Sequence, residues 1–256
     1  MGEPQARSQV AGHPITTAHS DHRAYTTGAL ALVGSGEYLP QMQSLEAALI
    51  EDAAQRGKRR AYIQIPTAAG RESADRLEYW RNLGAEQGRR IGVETTFLPV
   101  LSREHAEDAQ LAAQIVDVAL VYMSGGDPRY LADSLRGTLV GAAIESHWRT
   151  GGALAGCSAG AMVMGRHVPS LRFRFGAATE GLALTPRIQV LPHFNRIFEL
   201  AFNGGPGDGI LLGIENLTAL VNMSASDQWR VEGQGAVHIL SGLPKRLLRS
   251  GEEIQF

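Results

Sequence analysis

The residues best suited to chemistry lie between Gly151 and Gly165, in the run Gly-Gly-Ala-Leu-Ala-Gly-Cys-Ser-Ala-Gly-Ala-Met-Val-Met-Gly. Within it, Gly156-Cys157-Ser158-Ala159-Gly160 matches Gly-x-Ser-x-Gly. That pattern sets a serine hydroxyl on a sharp turn between a strand and a helix. Apolar residues before it and helix formers after it supply the expected context. Glycines two before and two after the serine answer a steric demand, because the turn brings backbone segments too close for a Cβ. The amide of Ala159 opens the helix and points where a developing oxyanion would need a donor. Centring the turn on Cys157 would put alanines 155 and 159 at the glycine places, so Ser158 is the expected nucleophile. Cys157 is expected to be a small buried residue beneath the turn.

A nucleophilic serine needs a base and a second oxyanion donor. Ser124-Gly125-Gly126-Asp127-Pro128 follows an apolar strand and precedes a helix. Gly125 and Gly126 can offer bare backbone amides there, while Asp127 caps the helix and Pro128 fills its first position. His193 closes a predicted strand, Ile188 to Leu191, and stands 35 residues after the serine. At such a place it can serve as general base.

These residues need a scaffold that brings strand ends to one edge. Apolar runs at Ala29–Val33, Ala61–Ile65 and Leu120–Met123 read as strands, with a further strand over Gly92–Val100. Helical spacing covers Met42–Gly57, Glu72–Gly88 and Arg103 to about Val118. The alternation implies a three-layer α/β fold, a mostly parallel sheet with helices on both faces. Sites in such sheets lie beyond the carboxyl ends of the strands. Short strands are expected at Leu217–Val221, Gln228–Glu232 and Ala236–Leu240. Gly34-Ser35-Gly36 resembles a dinucleotide fingerprint, but position 39 is Leu and no acidic residue ends a second strand, so no cofactor is expected.

The chain has 256 residues and a net charge of −2, with one cysteine. This suits a single α/β unit over residues 29–256 in a reducing, cytoplasmic compartment. Neither nucleic acid nor a membrane is an expected partner, and a homodimer is compatible with the sequence. Residues 1–28 are polar and aperiodic and read as a flexible tail. His13, His19 and His22 lie in it at no metal-site spacing, so no metal is expected.

Taken together, the motifs resemble the serine peptidases that include cyanophycinase and the aspartyl dipeptidase peptidase E. Those proteins share a flavodoxin-like, class I glutamine amidotransferase-like fold. The matching blocks are Gly-Ser-Gly-Glu after the first strand, Ile65-Pro66-Thr67-Ala68, Gly125-Gly126-Asp127 and Gly156–Ala161. They continue through Gly181–Pro186, Pro192-His193-Phe194 and Gly213-Ile214-Glu215, covering Leu30 to about Val221. The resemblance implies Ser158 as nucleophile, His193 as base, and the amides of Gly126 and Ala159 as oxyanion donors. It also implies metal-independent cleavage of peptide bonds next to aspartate. Where the related amidotransferases carry an elbow cysteine and a glutamate after the histidine, this chain has Ser158 and Asn195.

The third triad member departs from the pattern of the dipeptidases. Glu180 is the one acid between Ser158 and His193, and Glu215 is a second candidate. Glu180 is the favoured one. The same interval is basic, with Arg166, Arg172 and Arg174. Arginine grips carboxylates in a bidentate manner, so Arg172 points to an anionic peptide. Two other readings stand beside this one. The first is a fold retained for binding without efficient chemistry. The second is an esterase using Ser158, His238 and Asp208 or Asp227, although His238 falls inside an apolar strand where a satisfied structural histidine is expected.

Overall fold

The computed structural model describes residues 27–171, 179–195, 202–203, 209–223 and 227–256. The expected tail with its three histidines lies almost wholly outside these residues, as do Arg172, Arg174 and Asp208.

Five strands form the parallel core. They are β1 (Leu30–Val33), β2 (Arg59–Ile65), β3 (Glu94–Phe97), β4 (Val118–Met123) and β5 (Ala153–Cys157). β1, β4 and β5 are buried at every position, which explains their unbroken apolar runs. Their order is β1-β5-β4-β2-β3. The registers Val33 with Cys157, Met123 with Gly156 and Ile65 with Met123 bring four strand ends level. The loops after those strands therefore share one edge. Beyond β1 the sheet changes direction. Strands Thr218–Asn222, Gln228–Gly233 and Glu253–Gln255 add an antiparallel flank to complete eight strands.

Helices cover both faces. α1 (Gln43–Gln55) and α2 (Ala74–Ile91) bury Leu49, Ile50 and Ala53, with Trp80 and Leu83, against one side. α5 (Pro128–Leu135), α6 (Leu139–Arg149) and α7 (Ala159–Met164) bury Leu131, Leu135, Val140, Ile144 and Val163 on the other. β1 alternates between them, Leu30 and Leu32 toward α5–α7, Ala31 and Val33 toward α1. Each fully buried Leu, Ile or Val contributes about 1.5–3 kcal/mol. The caps are local. Ser73 accepts from Arg76 N, Gly92 takes φ 78° after α2, and Asp127 accepts from Arg129 N and Tyr130 N.

One expectation needs correction. The helix predicted from Arg103 to about Val118 is two short ones, α3 (Arg103–Ala106) and α4 (Ala109–Ala113). Asp108 breaks it by turning its carboxylate onto the amides of Gln110 and Leu111, and Val118 already belongs to β4. A second, four-stranded sheet also forms, ordered Arg246–Arg249, Ala236–Ser241, Ile210–Ile214, Ile188–Pro192. Its last strand lies parallel to Ile210–Ile214 and ends beside His193. Among the described residues no helix is long and apolar enough to cross a membrane.

Candidate active site

The elbow forms as its glycines require. A Cβ on Gly156 would sit 2.5 Å from the Gly160 carbonyl, and one on Gly160 would sit 2.2 Å from the Met123 oxygen. Both distances exclude any side chain. Ser158 itself takes φ 50°, ψ −108°, a conformation that costs a non-glycine residue about 1–3 kcal/mol. It is held there because its amide donates to Val33 O at 2.9 Å and its carbonyl accepts from Met162 N at 3.0 Å.

Strand alternation sends Cys157 to the opposite side, into the core beneath α1. Burial, then the adjacent Glu37 carboxylate, pushes its thiol well above the ordinary range. Cys157 is thus fully buried, with its thiol donating to Glu37 Oε2 at 2.7 Å.

His193 reaches the serine from the second sheet. Its Nε2 lies 2.7 Å from Ser158 Oγ. For the hydroxyl to donate, the neutral ring must carry its proton on Nδ1. His193 also departs from ordinary backbone, at φ 140°. The next residue anchors it. Phe194 N donates to Ile214 O at 3.0 Å, and the Phe194 ring fills the space over Gly213. Thus both members of the pair sit on strained residues whose neighbours are fixed by strand register.

The Gly125–Gly126 loop lies against the elbow. A Cβ on Gly125 would come within 3.4 Å of Ser158 Cβ. Gly126, at φ 141°, has no room for one, with Ala68 O at 2.4 Å. The two amides differ in use. Gly125 N donates to Glu37 Oε1 at 2.9 Å, so it is not turned toward the site. Among the described residues, the amides of Gly126 and Ala159 enter none of the loop and cap bonds that engage Ser158 and Asp127.

Among the described residues, neither expected acid hydrogen-bonds to the His193 ring. Glu180 sits on a two-residue ladder with His167–Val168, and its exposed carboxylate forms an ion pair with Arg136 Nη1. The chain leaves α7 and returns past α5, so Glu180 meets an arginine of α5's far end before it can meet His193. Glu215 accepts from His238 Nε2 at 2.7 Å and from Ala236 N at 3.0 Å. His238 Nε2 is thus engaged by Glu215 while Ser158 Oγ bonds to His193, so the serine–histidine pair of the esterase reading is not formed. Among the described residues, the hydrogen bond of the His193 ring is the one to Ser158. Glu37 is a functional candidate that residue types alone did not single out. Its block was visible in the sequence, but its partners lie 88 and 120 positions away.

Among the described residues no cluster of His, Cys, Asp and Glu could hold a metal.

Comparison with known proteins agrees with this architecture. The profile of Peptidase family S51 matches residues 30–211. Cyanophycinases from Trichormus variabilis and a Nostoc species are each 33% identical over 216 residues, 77% of this chain and 68% of theirs. The crystal structure of a peptidase from an acI-B1 actinobacterium is 48% identical, with TM-score 0.87, over 91% of this chain and 98% of that one. A candidate peptidase E protein from Listeria monocytogenes shares the fold at TM-score 0.58 and 16% identity, over 82% of this chain and all of that one. With its α/β sheet, its serine elbow and a profile match across most of its length, the chain belongs to Peptidase family S51 and is a serine-type peptidase.

Proposed function

We propose that the chain cleaves small, aspartate-containing peptides through an acyl-enzyme on Ser158, with His193 as general base. The observation that carries this reading is the 2.7 Å bond between Ser158 Oγ and His193 Nε2 at a strained elbow. As Oγ bonds to the peptide carbonyl carbon, its proton passes to Nε2. The carbonyl oxygen becomes an oxyanion facing the Gly126 and Ala159 amides. Collapse breaks the C–N bond, and the imidazolium returns the proton to the departing amine. Water then repeats the sequence and releases the acid and free serine.

The substrate reading rests on the basic interval Arg166–Arg174, within which Arg172 is the residue proposed to take the substrate carboxylate. A fluorophosphonate should label the wild type, and neither Ser158→Ala nor His193→Ala. A dipeptide library should show cleavage after amino-terminal Asp. Arg172→Ala should lower turnover of Asp-Xaa about 10-fold or more relative to Ala-Xaa; an unchanged ratio would remove Arg172 from specificity.

A second reading, a binding protein with slow chemistry, is favoured by one observation. Both candidate acids are engaged with Arg136 and His238. Loss of the acid that orients a triad histidine costs on the order of 10⁴ in turnover. Absence of labelling in folded wild type would select that reading.

A further inference from the structure

Glu37 is buried, 7% exposed, in the loop that follows β1. Its two oxygens face the Gly125 loop and the end of β5. Oε1 accepts from the Gly125 amide at 2.9 Å, and Oε2 accepts from the Cys157 thiol at 2.7 Å. Gly125 immediately precedes Gly126, and Cys157 immediately precedes Ser158. No ion pair to a cation involves Glu37 among the described residues. A buried carboxylate without a cation is expensive, so its neutral donors must hold it in place.

The base of this clamp is itself fixed. Gly34 N donates to Thr218 O at 2.9 Å, and Ser35 Oγ donates to Asn216 Oδ1 at 2.9 Å. On the other side, Tyr38 N donates to Glu46 Oε1 at 3.2 Å. Arg90 Nη1 and Gln87 Nε2 donate to the carbonyls of Tyr38 and Leu39. The Tyr38 ring packs against those of Tyr62 and Tyr122, with centroids 6.1 and 5.2 Å away. A carboxylate on so constrained a loop acts as a spacer of fixed length.

We propose that Glu37 is a positioning residue for the oxyanion site: by gripping Gly125 and Cys157 at once, it sets the separation between the Gly126 amide and the Ser158 elbow. Its carboxylate bonds to Gly125 and Cys157 and not to Ser158 Oγ. Engaging Gly125 N also turns that amide inward and leaves the next one for the substrate. The inference rests on the reading of Ser158 as nucleophile with Gly126 as donor.

The test uses diisopropyl fluorophosphate and the full chain, with the maximal labelling rate and the half-saturating concentration read separately, and Tm measured beside them. Wild type and Ser158→Ala come first; an unlabelled wild type defeats the reading of Ser158 and says so before any Glu37 variant is read. Glu37→Gln keeps an acceptor at the same reach and should label within about 5-fold of wild type. Glu37→Asp, one methylene shorter, and Glu37→Ala should slow the maximal rate about 10-fold or more, at an unchanged half-saturating concentration, since one lost oxyanion donor costs about 10²–10³. If Glu37→Ala does not fold, the Gln and Asp pair decides. Wild-type rates in folded Glu37→Asp would overturn the proposal. So would an equal loss in Glu37→Gln, or losses that simply follow Tm.

Discussion

Two pairs of glutamates behave differently in this molecule. Glu37 and Glu46 are buried on the α1 side of the sheet and accept from neutral donors: amides, a thiol and the Tyr62 hydroxyl. Glu180 and Glu215 lie nearer solvent and hold basic side chains, Arg136 and His238. A charge at the surface is cheap and finds a mobile partner. A carboxyl in the interior is costly and is kept only where several donors fix its position. The elbow is therefore braced from within by immobile groups, while the two acids expected at the histidine are occupied elsewhere.

The two histidines repeat the contrast. Each uses Nε2 at 2.7 Å, His193 on a hydroxyl and His238 on a carboxylate. Their rings are linked through Phe194, which packs tilted against His238 at 4.6 Å between centroids and follows His193 in the chain. His193→Ala should reduce peptide turnover by at least about 10⁴-fold, as loss of a triad base does. His238→Ala should cost only about 10-fold in turnover, through a loosened Phe194, and about 1 kcal/mol in stability. The reverse order of these losses, measured as kcat on one peptide, would exchange the roles assigned to the two rings.

Glu46 carries a pH signature. Burial, opposed only in part by hydrogen bonds from Gln87, Tyr38 and Tyr62, pushes the Glu46 carboxyl from 4.5 up to about 8. The folded protein then keeps a proton that the unfolded chain gives up. Stability contributed by this group is full below about pH 4.5 and falls as pH rises toward 8. Glu46→Gln should match wild type near pH 4.5. By pH 8 it should be more stable by on the order of 3–5 kcal/mol, read from urea midpoints across pH. His147 runs oppositely. Burial lowers its ring from 6.5 to about 4, so its contribution is full above 6.5 and is lost as pH falls toward 4.

At the surface the effects shrink. Glu180→Ala removes an exposed ion pair and should change stability by less than about 0.5 kcal/mol and turnover by less than about 3-fold. A loss near 10⁴-fold would instead return Glu180 to the histidine during the reaction.

Local steric and periodic demands were readable from residues alone. The five-residue elbow, the apolar β1, β4 and β5, the Asp127–Pro128 helix start and the helix stop near Gly57 all follow from neighbours within a few positions. Asp108 shows the limit within that range, since helical periodicity hid a side chain able to cap its own backbone. The alternation of strands and helices likewise implied a parallel sheet, but not the antiparallel flank, because Thr218–Asn222 pairs with β1 across most of the chain.

By itself, then, the sequence determined which residues could form an elbow, a glycine loop and a covered parallel sheet, because backbone sterics and side-chain period act locally. Only the tertiary structure decided their partners. Strand register set His193 on Ser158, Glu37 across Gly125 and Cys157, and Glu215 on His238. Those contacts join residues from 23 to 120 positions apart, and a one-residue slip in any strand would turn each side chain to the opposite face.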